Sequence, residues 1–239
     1  MIIGQGVSVG GGIYVDAKSD NFPPEGVNKL YYGDLGNLFD ASTYSGSGNQ
    51  WIDTQSGNIA TLINSPTYST DFTGYFEFNG INQRATVSGT PLNPVSYTKC
   101  AWFYLNGTQA NHLISFNDGT GTGHYMAFNN TNKLYCGHTS WPGFPLSFES
   151  VTTFDNFVWY FVAVTFDTIS GMTLFVNGRE DSKFTLYKTP PVASQIGIAS
   201  YDNFGHFKGR IGRVYIYNRA LTAEEVRWTF NGTRYIYSI

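Results

Sequence analysis

From about Leu35 the apolar residues fall into short runs that read as β-strands, separated by turn pairs. The runs are Gly74–Phe78, Lys99–Leu105, His112–Phe116, Trp159–Phe166, Met172–Val176, Gln195–Ile198 and Arg210–Tyr217. They are rich in β-branched and aromatic residues, which suit a pleated surface. Asn79-Gly80, Asp118-Gly119 and Asn177-Gly178 lie between them, and such pairs close hairpins because both residues tolerate positive φ. Helical periodicity is confined to Thr222–Thr229, where Thr222 stands three residues before Glu225 in the spacing of a capping box. Many short strands with tight turns predict an antiparallel two-sheet sandwich of jelly-roll type with one short C-terminal helix.

Residues 1–34 follow another pattern. Gly4, Gly6 and Gly10 to Gly12 alternate with Val7, Val9, Ile13 and Val15, and Pro23-Pro24 follows. The stretch is too short and too rich in glycine to enclose a core, so it reads as an extended arm preceding a domain over residues 35–239. Val7, Val9, Ile13 and Val15 are its docking residues for another subunit or a particle surface. The glycines do not follow the G-x-G-x-x-G spacing of a dinucleotide loop. The arm resembles the glycine-rich openings of structural proteins of tailed phages.

The local motifs, in order, resemble those of the concanavalin A-like, laminin-G-type superfamily. They are Leu38-Phe-Asp-Ala41, Trp51-Ile-Asp53, Ser56-Gly-Asn-Ile-Ala-Thr-Leu62, Phe76-Glu-Phe-Asn-Gly-Ile-Asn82, Cys100-Ala-Trp102, Phe157-Val-Trp-Tyr-Phe-Val-Ala-Val-Thr-Phe166 and Leu174-Phe-Val-Asn-Gly178. Gly209 to Val226 completes the series, with Arg213 where that family usually carries an acid. The resemblance spans about Leu35 to Val226 and implies the jelly-roll fold. A shared fold leaves function to be argued from a site.

Composition narrows the setting. Hydrophobic residues make up 41% and aromatic residues 17% of 239 residues, but charged residues only 13%, against a usual ~25%. Such a surface meets water through Ser, Thr, Asn, Gly and Tyr, as in secreted, adhesive and virion proteins. A net charge of −3 and the absence of basic runs argue against nucleic acid as a partner. No secretory signal and no membrane-inserted segment is expected. Cys100 and Cys136 read as two buried thiols, with a single bridge between them as the alternative.

Enzymatic chemistry lacks a motif. Glucanases on this fold carry acids at alternate positions of one strand, which points them into one cleft. Here no two acids stand two residues apart. Glu77 is isolated, Glu180 and Asp181 are adjacent, and Glu224-Glu225 opens the helix. His112, His124, His138 and His206 lack ligand spacing and read as surface or strand-end residues.

Glycan binding has candidates, because aromatic faces stack on sugar C–H patches while amides hold hydroxyls. Trp141 and Phe144 lie in His138-Thr-Ser-Trp-Pro-Gly-Phe-Pro145, and Tyr201, Asn203 and His206 in Ser200–His206. The superfamily resemblance adds a Ca2+ candidate at Asp118, where a second carboxylate is not evident.

The expectation is a non-enzymatic virion component (a capsid decoration, fibre or tail protein) that joins other virion proteins, or copies of itself, through its arm and binds host glycans. The alternatives are a cellular adhesion or carbohydrate-binding module and a glycan hydrolase.

Overall fold

The computed structural model describes residues 34–89, 93–108, 110–117, 123–139, 146–185 and 195–239, and the backbone pairing of two dipeptides in the arm. Those dipeptides are β1 (Ser8–Val9) and β2 (Ile13–Tyr14), antiparallel to each other. The domain continues with β3 (Leu35–Asp40), β4 (Gln50–Ile52), β5 (Ile59–Ile63), β6 (Thr67–Ser69), β7 (Tyr75–Asn79) and β8 (Arg84–Ser88). Then come β9 (Ser96–Leu105), β10 (Asn111–Asn117), β11 (Gly123–Phe128), β12 (Lys133–Thr139) and β13 (Leu146–Thr153). The last strands are β14 (Trp159–Asp167), β15 (Gly171–Val176), β16 (Arg179–Phe184), β17 (Gln195–Ile198) and β18 (Lys208–Tyr217), before helix α1 (Ala223–Asn231).

Two antiparallel sheets face each other. The front sheet runs β13-β12-β11-β10-β17-β8-β5-β4 and the back sheet β16-β15-β14-β9-β18-β7-β6, with β3 also paired to β18. This is the jelly-roll sandwich expected from the strand pattern. Its core lies between the sheets, where Phe39, Trp51, Phe76, Phe103, Phe116, Phe128, Phe166 and Phe207 interlock.

A second cluster covers the outer side of the back sheet. The α1 helix and the 3-10 turn Arg234–Tyr237 lay Val226, Phe230 and Tyr237 over Trp102, Phe161 and Tyr215. Tyr237 stacks on Trp102 with ring centroids 4.2 Å apart. Gly212 makes the room, because a Cβ there would stand 2.2 Å from the Tyr237 hydroxyl. The helix starts where expected: Thr222 accepts from the Glu225 amide and Glu225 reaches back to the Thr222 amide.

The motif residues are architectural. Asp53 is buried and accepts from the Leu38 amide at 2.7 Å, the Gln55 amide at 2.8 Å, the Ser56 amide at 3.2 Å and Asn37 Nδ2 at 2.8 Å, as well as from the Ser56 hydroxyl. It ties β3 to the turn after β4. Arg213, in the place of the family's acid, meets Asp40 at 2.8 Å, so the strand pair β18–β3 keeps a charge partner. Asn177 and Gly178 turn the β15–β16 hairpin with φ of 48° and 73°.

The two sheets also join along one side. Asp181, on edge strand β16, accepts from the Val151 amide at 2.7 Å and the Thr152 amide at 3.0 Å on edge strand β13. Cys100 and Cys136 are buried free thiols. Cys136 belongs to the inter-sheet core and Cys100 to the cluster beneath the helix.

Candidate functional site

Among the described residues no helix lies over the outer side of the front sheet. Alternation sends Met126, Phe128 and Cys136 inward and leaves Tyr125, Ala127 and Tyr135 outward. Register places Ser147, Gly137, Tyr125, Ser115 and Gly197 in one row across five strands. Tyr135 and Glu149 face each other in the next row.

The segment after β17 folds back onto this surface. Ala199 donates to Leu113 O, and His112 donates its amide to Gly205 O at 2.7 Å. Gly205 is needed there: its φ is +59°, and a Cβ would stand 2.5 Å from His112 Cδ2. Tyr201 and Phe204 exchange backbone hydrogen bonds across a tight turn with Asp202 at a φ of 51°.

His112 thereby becomes the hub of an aromatic ring. Its centroid lies 5.1 Å from Tyr201, 6.0 Å from Tyr125, 6.2 Å from Phe204 and 6.5 Å from Tyr135. Phe204 is 57% exposed and Tyr135 half-buried, while Asn203, Ser147 and Glu149 are exposed. Burial, reinforced by the charge of Lys99, lowers the His112 pKa to about 4. Burial raises Tyr125 to about 12 and raises Tyr135. At neutral pH these rings are uncharged. The surface therefore offers apolar ring faces edged by an amide, a hydroxyl and a carboxylate, with Glu149 held by Asn129 Nδ2 at 2.9 Å.

The structure redistributes the residues expected to form a site. Asn203 is presented by the turn. Tyr201 is 4% exposed, because the turn folds its ring onto Tyr125 and Ala127, so it supports the surface and offers no open face. His206 is half-buried and bridges to His112 through the backbone. Burial and the nearby Arg84 charge lower its pKa. Trp141 and Phe144 lie outside the described residues. The described strand β12 ends at Thr139, four residues from Tyr135, or about 13 Å. Asp118 is also outside the described residues, among which no group of three or more His, Cys, Asp or Glu is placed to hold a metal. Of the arm residues, Val9 and Ile13 fall in the β1–β2 pair, and Val7 and Val15 lie outside the described residues.

The reading of the histidines as surface or strand-end groups is corrected for two of them. His124 and His138 are buried between the sheets, because their strands point them inward with Met126 and Cys136. They belong to a polar cluster that sequence inspection missed. Lys99, fully buried, lies with Nζ 2.8 Å from His124 Nδ1, and the Tyr97 hydroxyl lies 2.8 Å from His138 Nε2. His124 is stacked between Tyr97 and Phe116, each at 4.6 Å. Its Nε2 has no partner among the described residues. Burial lowers Lys99 to about 7, with the Cys136 sulfur acting weakly in the other direction. His124 is pushed well below its usual range by burial, then by Lys99 and His138.

Comparison with known proteins follows the architecture. The family model described as the concanavalin A-like lectin/glucanases superfamily matches residues 79–227. No curated protein is significantly similar in sequence. Among solved structures, Trypanosoma rangeli sialidase superposes with a TM-score of 0.64 at 16% identity, over 86% of this chain and 34% of the sialidase. Botulinum neurotoxin type C, whose entry into cells depends on interaction with two ganglioside molecules, superposes with a TM-score of 0.66 at 14% identity, over 84% of this chain and 51% of the toxin chain. The botulinum neurotoxin type G receptor-binding domain gives 0.64 at 16% identity, over 83% and 51%. The chain thus spans about a third of the sialidase and half of each toxin chain, and the likeness is one of fold.

Proposed function

Because the chain belongs to the concanavalin A-like lectin/glucanases superfamily, we propose that it is a glycan-binding protein and not a hydrolase. The observation that carries this reading is the ring of aromatics around His112, with Phe204 exposed beside Asn203. Flat apolar faces next to a planar amide match the two sides of a sugar ring. The toxin structures, whose fold is shared, include one that engages gangliosides, which is consistent with a glycan ligand. Binding is favoured over hydrolysis by the sequence, which sets no two acids at alternate positions of a strand.

The setting we propose is a virion surface, where the arm joins the chain to the particle and many copies face the host. Low charge, the aromatic surface and the glycine-rich arm support it. A single stacking contact contributes about 1 kcal/mol beyond area burial, so one site binds weakly and many copies supply avidity.

The test is a glycan array probed with wild type and with Phe204→Ala and Tyr135→Ala, each also measured for melting temperature. Loss of a specific glycan signal with an unchanged melt supports the site. Reducing ends released from any arrayed polysaccharide would overturn the non-hydrolytic reading. A wild type that binds no glycan as multivalent beads would overturn the binding reading.

A further inference from the structure

The back sheet carries a different surface, beyond the edge of the C-terminal cover. Register aligns Trp159 on β14, Tyr104 on β9, Arg210 on β18 and Glu77 on β7 in one row across four strands. The row lies on the outer face, since Phe103, Ile211 and Phe76 beside it are in the inter-sheet core. The Arg210 guanidinium lies 4.7 Å from the Tyr104 ring centroid and 4.8 Å from that of Tyr75. Its Nε donates to Glu77 Oε2 at 3.2 Å, while Asn106 Nδ2 donates to Glu77 Oε1 at 3.2 Å. One edge of the arginine is thus fixed. Its two terminal nitrogens make no hydrogen bond among the described residues.

Two exposed phenylalanines bound the row. Phe157 is 64% exposed with its ring 6.1 Å from Tyr104, and Phe72 is 38% exposed with its ring 5.8 Å from Trp159. Both have left-handed backbone, with φ of 66° at Phe157 and 51° at Phe72. That conformation is costly for a bulky residue, and glycine or asparagine would fit it more easily. Phe157 thus keeps a largely exposed ring at a strained position beside Tyr104, and Phe72 a partly exposed one at a strained position beside Trp159. Strain of this kind clusters at ligand sites. A further sign is the Trp159 indole Nε1, which is buried without a partner in the same row.

We propose that this row is a second binding site, distinct from the His112 surface, for a sugar ring that carries a carboxylate. The ring would lie against Phe157 and Tyr104, and its carboxylate would meet the free fork of Arg210. Planar forks of this kind bind carboxylates in two-point fashion. Charge favours this class. Glu77 is already shared by Arg210 and Asn106, and Lys208, exposed and two residues from Arg210 on β18, adds a second cation. Of the acids near the phenylalanines, Asp155 is engaged by the Tyr160 hydroxyl at 3.4 Å. This inference does not rest on the reading of the front sheet.

The experiment is calorimetric or NMR titration of the full chain with trigalacturonic acid, and with maltotriose as the neutral control. Arg210→Gln should weaken binding of the acid about 10- to 100-fold, the worth of a charge-assisted pair. Phe157→Gly should also weaken it, yet leave the melting temperature unchanged or higher, because glycine accepts the left-handed backbone. A melt lowered in Phe157→Gly with affinity intact would show that the ring is packing. No binding of the acid by wild type, equal binding of maltotriose, or unchanged affinity in both variants would overturn the proposal. Since Phe204 and Tyr135 are on the other sheet, their variants should leave this binding intact.

Discussion

Replacing Lys99 with methionine should make the protein more stable, and by an amount that depends on pH in a defined way. Lys99 is wholly buried, makes none of the ion pairs among the described residues, and has a pKa near 7 where an exposed lysine has 10.5. The unfolded chain therefore binds a proton more readily than the folded one. Below pH 7 both states are charged, and the folded state carries the full penalty of about 5 kcal/mol. As pH rises from 7 toward 10.5 the penalty shrinks by about 1.4 kcal/mol per pH unit. Methionine removes it but leaves His124 Nδ1 without its partner, which costs about 1–3 kcal/mol. The expected gain at pH 6 to 7 is then about 2–4 kcal/mol. The assay is urea unfolding of wild type and Lys99→Met at half-unit steps from pH 6 to pH 10. The difference between the two is the decisive quantity. Burial raises Cys100 and Cys136, so both proteins lose stability together above about pH 8.5, and this cancels. A difference that stays flat across this range, or a variant less stable at every pH, would refute the reasoning.

Other substitutions test the rest of the frame. Arg213→Met should cost about 3 kcal/mol in urea unfolding, because it strands the largely buried Asp40, and Asp40→Asn in the same chain should recover part of it. Thr222→Ala should cost about 1 kcal/mol through loss of the capping box, seen as a lower midpoint with an unchanged urea slope. Acid should also destabilise the wild type. The folded-state pKa values of His112 and His124 are depressed, so their stability contribution is full above about pH 6.5 and is lost as pH falls toward 4. NMR titration of the imidazole resonances checks this, and a His112 pKa at or above 6.5 would contradict it.

The strand runs, the Asn177-Gly178 hairpin and the capped helix were legible because each depends on neighbours in sequence. Other features depend on which face of a strand a residue occupies, and there the pattern is silent. In β9, eight of ten positions are buried, as they must be when one face meets the front sheet and the other meets the C-terminal cover. Alternation is erased, so Tyr97-Thr-Lys-Cys-Ala-Trp-Phe does not reveal that Lys99 faces the inter-sheet space. The same holds for His124 in β11, whose six residues are all buried. Tyr201 looked free in a turn-rich segment, and only the backbone bond between His112 and Gly205 brings its ring down onto Tyr125. Glu77 and Arg210 are separated by 133 residues, and no local pattern predicts that they share a row.

Asp181 gives the sandwich a sealed side and an unsealed one. Its carboxylate occupies amides of β13 that an incoming strand would otherwise take, and it does so from the edge of the opposite sheet. The two sheets are thereby pinned to each other at that end, and β3, β4 and β6 lie at the other. An open strand edge is a template for another strand, and a carboxylate that engages edge amides blunts it. An added strand is thus expected at the end away from Asp181, where the sheets are not tied to each other. Neutralising Asp181 should free the Val151 and Thr152 amides and loosen the tie between the β13 and β16 edges.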